Sequence, residues 1–143
     1  MDEYYLYKSK KIIDDNHIFI KNAYIIPINE YSIEIIFIIT FIYNEFDNKI
    51  KLKFFAVKKG ELFFGDYKMD NIIKLLNFFI KIFNIERDKV EKEYNIKFNK
   101  VEYYSDDFRK KRIYERVINN YYKNIIIDNK NDRGNTIIKI LNK

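Results

Sequence analysis

The sequence predicts an α+β fold: an N-terminal antiparallel β-meander of four or five strands packed against a buried helix, then a basic amphipathic C-terminal helix and short terminal strands. Three observations predict it. Residues 1–68 read as apolar strands divided by turn residues, with strict alternation at the start of KIKLKFFAV, the period lengthens to three or four over 69–85, and a second, arginine-bearing stretch of helical period follows near 105–123. At 143 residues the chain is expected to form a single α+β domain over 1–143, long enough to bury a core.

The strands come first. EYYLYKSKKII and HIFIKNAYIIPI flank a turn at Asp14-Asp15-Asn16, and Pro27, with no N–H to give a ladder, marks an edge or a strand end. SIEIIFIITFIYNEF, 32–46, is apolar on both alternating faces, the pattern of a central strand covered on both sides. KIKLKFFAV then alternates strictly, with Lys49, Lys51 and Lys53 on one face and Ile50, Leu52 and Phe54 on the other. Asp47-Asn48 is expected to make the tight turn before it, because both residues tolerate positive φ. Lys58-Lys59-Gly60 turns the chain again, into the shorter strand ELFFGDYK.

Over MDNIIKLLNFFIKIFNI, 69–85, the polar residues Asn71, Lys74, Asn77, Lys81 and Asn84 form one narrow stripe on an otherwise apolar helix. Such a helix is buried, most simply against the sheet, and Asp70 near its start complements the helix dipole. Residues 86–104 are expected to form a short helix and then a strand. In SDDFRKKRIYERVINNYYKN, 105–124, Ser105 is the candidate N-cap and Asp106-Asp107 sit in the first turn. Ile113, Tyr114, Val117, Ile118 and Tyr121 share one face; Arg109, Arg112, Arg116 and Lys123, with Asn119 and Asn120, share the opposite one. NIIID and TIIKIL, on either side of NKNDRGN, end the chain as a β-hairpin or as sheet edges.

Composition limits the chemistry. The absence of cysteine excludes disulfides, thiolate ligands and a cysteine nucleophile. His17 is the only histidine, the serines are Ser9, Ser32 and Ser105, and the glycines are Gly60, Gly65 and Gly134, so neither an activated serine nor a glycine-rich phosphate loop is legible. No cofactor is implied. MDEYYLYK is acidic where a signal peptide begins basic, and the longest uncharged run, 35–44, is about half a membrane-spanning helix. These features predict a soluble, cytoplasmic protein, or a host-intracellular one if viral. Ile, Asn, Lys, Tyr and Phe dominate, all with A/T-rich codons, so an A/T-rich genome accounts for much of the lysine.

Charge is nevertheless uneven. Residues 1–72 carry ten Lys against eleven acids, about −1, whereas 73–143 carry seventeen Lys or Arg against ten acids, +7. That asymmetry is the footprint of a polyanion binder. The first candidate surface is the helix face of Arg109, Arg112, Arg116 and Lys123, each able to neutralise a phosphate. The second is the ladder Lys49, Lys51, Lys53, which with tyrosines nearby suits a single-stranded backbone and its bases. The third is the set of tyrosine pairs, Tyr4-Tyr5, Tyr103-Tyr104 and Tyr121-Tyr122, in which one ring of a strand pair points outward; Tyr122 is taken as a partner-binding ring.

The function expected from these surfaces is that of a small non-catalytic binding or regulatory protein whose basic helix contacts nucleic acid or an acidic protein. One alternative is a protein-interaction module (an inhibitor, immunity or oligomeric accessory protein) that uses exposed tyrosines and a sheet edge. The other starts from Asp47 and Asp66-Tyr67-Lys68, whose spacing loosely resembles the Asp…(Asp/Glu)-X-Lys core of metal-dependent nucleases. That resemblance implies Mg²⁺ held by the carboxylates and a lysine assisting water; the chain departs from it in lacking an N-terminal helix.

Overall fold

The computed structural model describes residues 4–28, 33–63, 69–105, 108–122, 125–128 and 136–140. In chain order these form β1 (Tyr5–Asp14), β2 (His17–Ile28), β3 (Ile33–Tyr43), β4 (Asn48–Lys58), β5 (Glu61–Phe63), α1 (Met69–Tyr94), β6 (Lys100–Tyr103), α2 (Phe108–Tyr121), β7 (Ile125–Asp128) and β8 (Thr136–Ile140). The fold is α+β. An antiparallel meander, β1 to β5, is followed by a helix that packs on it. All the strands belong to one sheet, ordered β1-β2-β3-β4-β6-β8-β7, with β5 beside the far end of β4. The terminal strands therefore extend the meander's sheet rather than standing apart.

Turn chemistry explains the hairpins. At 14–17 the carboxylate of Asp14 accepts the N–H of Asn16 at 3.1 Å and meets His17 Nδ1 at 3.0 Å. Between β3 and β4 the expected tight turn at Asp47-Asn48 is instead a loop over 44–47, with Tyr43 opposite Asn48. Asn44 makes it: its side-chain oxygen accepts the N–H groups of Phe46 and Asp47, each at 2.8 Å, so no residue there needs positive φ. The β4–β5 turn does use that conformation, at Lys59 (φ 52°) and Gly60 (φ 81°), as a two-residue hairpin requires. Pro27 lies beyond the last β1–β2 pair, Tyr5 with Ile25, where β2 has β3 as its neighbour and a missing N–H costs nothing.

Helix α1 does not end at residue 85 but continues to Tyr94. Neither Gly nor Pro interrupts it, and the buried positions Leu75, Phe79, Ile82 and Phe83 carry on at helical spacing through Arg87 and Val90. It stops at Asn95, whose φ of 53° lets the Ile96 N–H reach the Glu91 carbonyl at 3.1 Å, the closing bond of a Schellman motif. The next loop is fastened twice. Glu91 accepts the Phe98 N–H at 2.9 Å, while the Asn48 amide donates to the Lys97 carbonyl at 2.9 Å and accepts the Asn99 N–H at 3.0 Å. This brings β6 alongside β4, parallel to it.

Both helices cover the same face of the sheet. The core there joins Ile20 and Ile26 of β2, Ile35 to Phe41 at alternate positions of β3, Ile50 to Ala56 of β4, and Val101 and Tyr103 of β6 to Phe79 and Phe83 of α1 and Val117 and Ile118 of α2. Phe79 anchors it, stacked on Phe37 at 4.4 Å and tilted against Phe54 at 4.9 Å. Among the described residues β3 is thus covered by helices on one side, whereas its composition predicts cover on both. Ile36, Ile38 and Ile42 of its other face are half-buried beneath cross-strand neighbours, opposite Phe55, Lys53 and Lys49.

The outer edge of β4 forks. β5 pairs with 56–58 and β6 with 50–52, which leaves the N–H of Phe54 between them. Tyr114 of α2 fills the fork: its hydroxyl accepts that N–H at 3.0 Å, and its ring stacks on Tyr103 at 4.8 Å. One side chain so satisfies the sheet and fixes α2 against it. Among the described residues no helix is long and apolar enough to cross a membrane.

Candidate functional site

The face of the sheet turned away from the helices carries the basic residues. Register places them in rows. Lys10 stands opposite Lys21, Lys21 opposite Thr40, Thr40 opposite Lys51, and Lys51 beside Glu102 of β6. At about 4.8 Å per strand this row spans about 19 Å. A second row runs Lys8, Ala23, Ile38, Lys53. Between and beside the lysines lies a groove of about 550 Å³, whose lining includes Phe19, Ile38, Ile42, Phe55 and Tyr104.

Neighbouring acids divide the lysines into two kinds. Lys49 is 3.0 Å from Asp47 and 3.5 Å from the buried Glu102, and Lys51 is 3.7 Å from Glu102, so much of the predicted ladder is neutralised from within. Lys10, Lys21 and Lys53 have no ion pair among the described residues. Lys53 instead lies over the Phe55 ring, 5.7 Å from its centroid. Lys10 and Lys21 are cross-strand partners, both exposed. Like charges directly opposite one another destabilise a sheet.

Helix α2 is amphipathic as its spacing predicts. Tyr114, Val117 and Ile118 are buried and Ile113 is half-buried, while Arg109, Arg112 and Arg116 are exposed. Arg109 and Arg112 each also interact elsewhere in the chain. Lys123 lies outside the described residues. The arginines belong to the helical layer and the lysine ladder to the opposite face, so the structure does not bring the two sets together. Lys110 is the exception: it lines the groove with its ammonium 5.3 Å from the Phe54 ring centroid.

The tyrosine pairs separate inward from outward. Tyr103 is buried and Tyr104 is 53% exposed; Tyr4 packs against Tyr24 and Phe78, and Tyr5 is exposed. Tyr122 corrects the expectation of a partner-binding ring. It is buried, edge-on to Phe83 and 4.7 Å beneath the guanidinium of Arg87, because its N–H bonds the Ile118 carbonyl at 3.0 Å and so keeps it one helical turn beyond Ile118 on the buried face. Arg87 is buried as well and pairs with Glu91 at 3.0 Å and Asp88 at 3.3 Å. Burial holds the Glu91 carboxyl above the usual carboxylate range.

Asp47, the first residue of the nuclease-like spacing, pairs with Lys49 and, at 3.7 Å, with Lys100. Asp66 and Lys68 lie outside the described residues. Among the described residues no cluster of three or more His, Asp or Glu is arranged to hold a metal ion. His17 is engaged in the β1–β2 turn, where its bond to Asp14 holds that carboxyl below its ordinary value. Comparison with protein-family models, curated proteins and solved structures finds no match.

Sequence inspection missed Lys21, Phe19, Phe55 and Lys110. The signal for the first two was present: a two-residue turn at 15–16 fixes Lys10 opposite Lys21 and Ile12 opposite Phe19.

Proposed function

We propose that the protein is a non-catalytic binding module that takes single-stranded nucleic acid across the open face of its sheet. The observation that carries this reading is the pair Lys10 and Lys21, two exposed like charges held side by side with no carboxylate paired to them among the described residues, at the margin of a groove floored by Phe19 and Phe55. A phosphate lying between the two ammonium groups would turn their repulsion into attraction. Lys53 and Lys110 offer further phosphate contacts along the groove, and Phe19, Phe55 and Tyr104 offer rings on which unpaired bases stack. A duplex keeps its bases stacked on each other and gains only the charge contacts. The α2 arginines, Arg109, Arg112 and Arg116, remain a second cationic surface on the helical layer.

The test is anisotropy of a labelled single strand of about 15 nucleotides and of its duplex, across a salt series. Three or four phosphate contacts give a log–log slope of about −2 to −3 for a single strand. Lys21→Glu with Lys53→Glu is expected to weaken single-strand binding at least about tenfold, and reversal of Arg109, Arg112 and Arg116 to change it by less than about threefold. The reverse ranking would move the site to the helix. Absence of binding at low salt would end the nucleic-acid reading.

A further inference from the structure

The first strand is built unlike the rest of the sheet. β1 is ten residues long, pairs among the described residues with β2 alone, and is exposed at every position on both faces. Tyr5, Leu6, Tyr7, Ile12 and Ile13 are each between 43% and 52% exposed, so the strand is apolar at its two ends. Its middle is cationic, with Lys8, Lys10 and Lys11, and no acid falls between Tyr4 and Ile13. Every second residue of an antiparallel edge strand directs its N–H and C=O away from its partner. Counting back from the Asp14–His17 pair that closes the turn, Ile13, Lys11 and Ser9 make that outward set. The register shift between Leu6 and Lys8 then ends the regular edge.

We infer that the outer edge of β1 is a docking site for an extended acidic peptide segment of a partner protein, which adds to the sheet as a further strand. Backbone bonds along Ser9, Lys11 and Ile13 would hold such a segment, and side-chain chemistry would select it. Lys10 and Lys11 point to opposite faces, so consecutive acids in the middle of the added strand meet one lysine on each side. Its apolar ends meet Tyr5 and Leu6 at one end of β1 and Ile12 and Ile13 at the other. A second copy of this chain fits badly: antiparallel pairing of two β1 edges about Ser9 would set Lys8 of each copy against Lys10 of the other. The site shares Lys10 with the margin of the groove and differs from it in Lys11, which lies on the other face, opposite Ile20.

The test uses the full chain and an array of extended peptides of about eight residues with varied apolar flanks and a central pair that is acidic, amide or basic. Acid-centred peptides are expected to bind at least about tenfold more tightly than basic-centred ones, and binding is expected to slow amide exchange at Ser9, Lys11 and Ile13. Lys11→Glu is expected to abolish the preference and Lys11→Arg to keep it. Lys11→Pro, checked by its melting transition, removes an outward N–H and is expected to weaken binding. Lys53→Glu, which tests the groove, is expected to leave peptide binding unchanged. The inference is overturned if no acid-centred peptide binds, if basic-centred ones bind equally, if protection falls outside β1, or if the chain dimerises through β1 in a form that Lys11→Glu disperses.

Discussion

Replacing Tyr114 by Phe removes one oxygen from the fork of the sheet and leaves everything else in place. The ring still stacks on Tyr103 at 4.8 Å and tilts against Phe54 at 5.0 Å, so little packing changes. What changes is the Phe54 N–H, which loses its acceptor at 3.0 Å in a place where both residues are 2% exposed. A buried donor left without a partner costs about 1–3 kcal/mol. For a chain of this length that lowers Tm by about 4 °C per kcal/mol, or about 4–12 °C in all. Urea denaturation of the two proteins reads it directly, with Tyr104→Phe, an exposed ring on the next residue, as the control expected to stay within about 0.5 kcal/mol. Alkali gives a second readout. Burial pushes the Tyr114 hydroxyl well above its ordinary value, so above pH about 10 the unfolded chain releases a proton that the folded one keeps. That group's stabilisation is complete below pH about 10 and lost above it, by about 1.4 kcal/mol per pH unit, and Tyr114→Phe removes one such proton from the slope. A loss below about 0.5 kcal/mol with an unchanged alkaline slope would refute the assignment of Tyr114 as the plug of the fork.

Tyr24 should behave like Tyr114 in alkali, since burial and then its bond to Glu86 raise its hydroxyl; Tyr24→Phe is expected to flatten the stability–pH curve above pH about 10. Glu91→Ala strips the buried Arg87 of its closest carboxylate and the Phe98 N–H of its acceptor, and is expected to cost about 2–4 kcal/mol in urea denaturation. Gly60→Ala meets no atom within 4 Å, so its cost of about 1 kcal/mol should arise from φ alone and show as a uniform loss in chemical denaturation. Lys10→Glu converts the Lys10–Lys21 pair to opposite charges. It is expected to raise stability by about 0.5–1 kcal/mol and to weaken single-strand binding, two effects that one protein preparation reports by melting and by anisotropy.

Local physics explains what was legible in the sequence. The alternation in KIKLKFFAV put Ile50, Leu52 and Phe54 in the core and the lysines on the other face, because a strand's period of two is rigid. The inward face of α2 followed from spacing in the same way. The misreadings arose where contacts distant in sequence decide. Ile36, Ile38 and Ile42 look like a buried face because composition does not show that both helices pack on the opposite side of the sheet. Asn44 took the turn from Asp47-Asn48 because its side chain bonds two N–H groups at once. The candidate site suffered most from this. Lys49 and Lys51 are two of the three ladder lysines, but Glu102, distant in sequence and brought over by a parallel pairing, occupies them. Lys10, Lys21 and Lys53, which have no ion pair among the described residues, come from three strands, and only their register shows that they share a face.

The most direct test of the open-face account is photo-crosslinking of a bromouridine-substituted single strand to the intact protein, with the attached residues identified by mass spectrometry. Crosslinks at Phe19, Phe55 and Tyr104 are predicted, because those rings line the groove between the lysines. Crosslinks confined to residues 109–116 of α2, with none on β2 or β4, would contradict it.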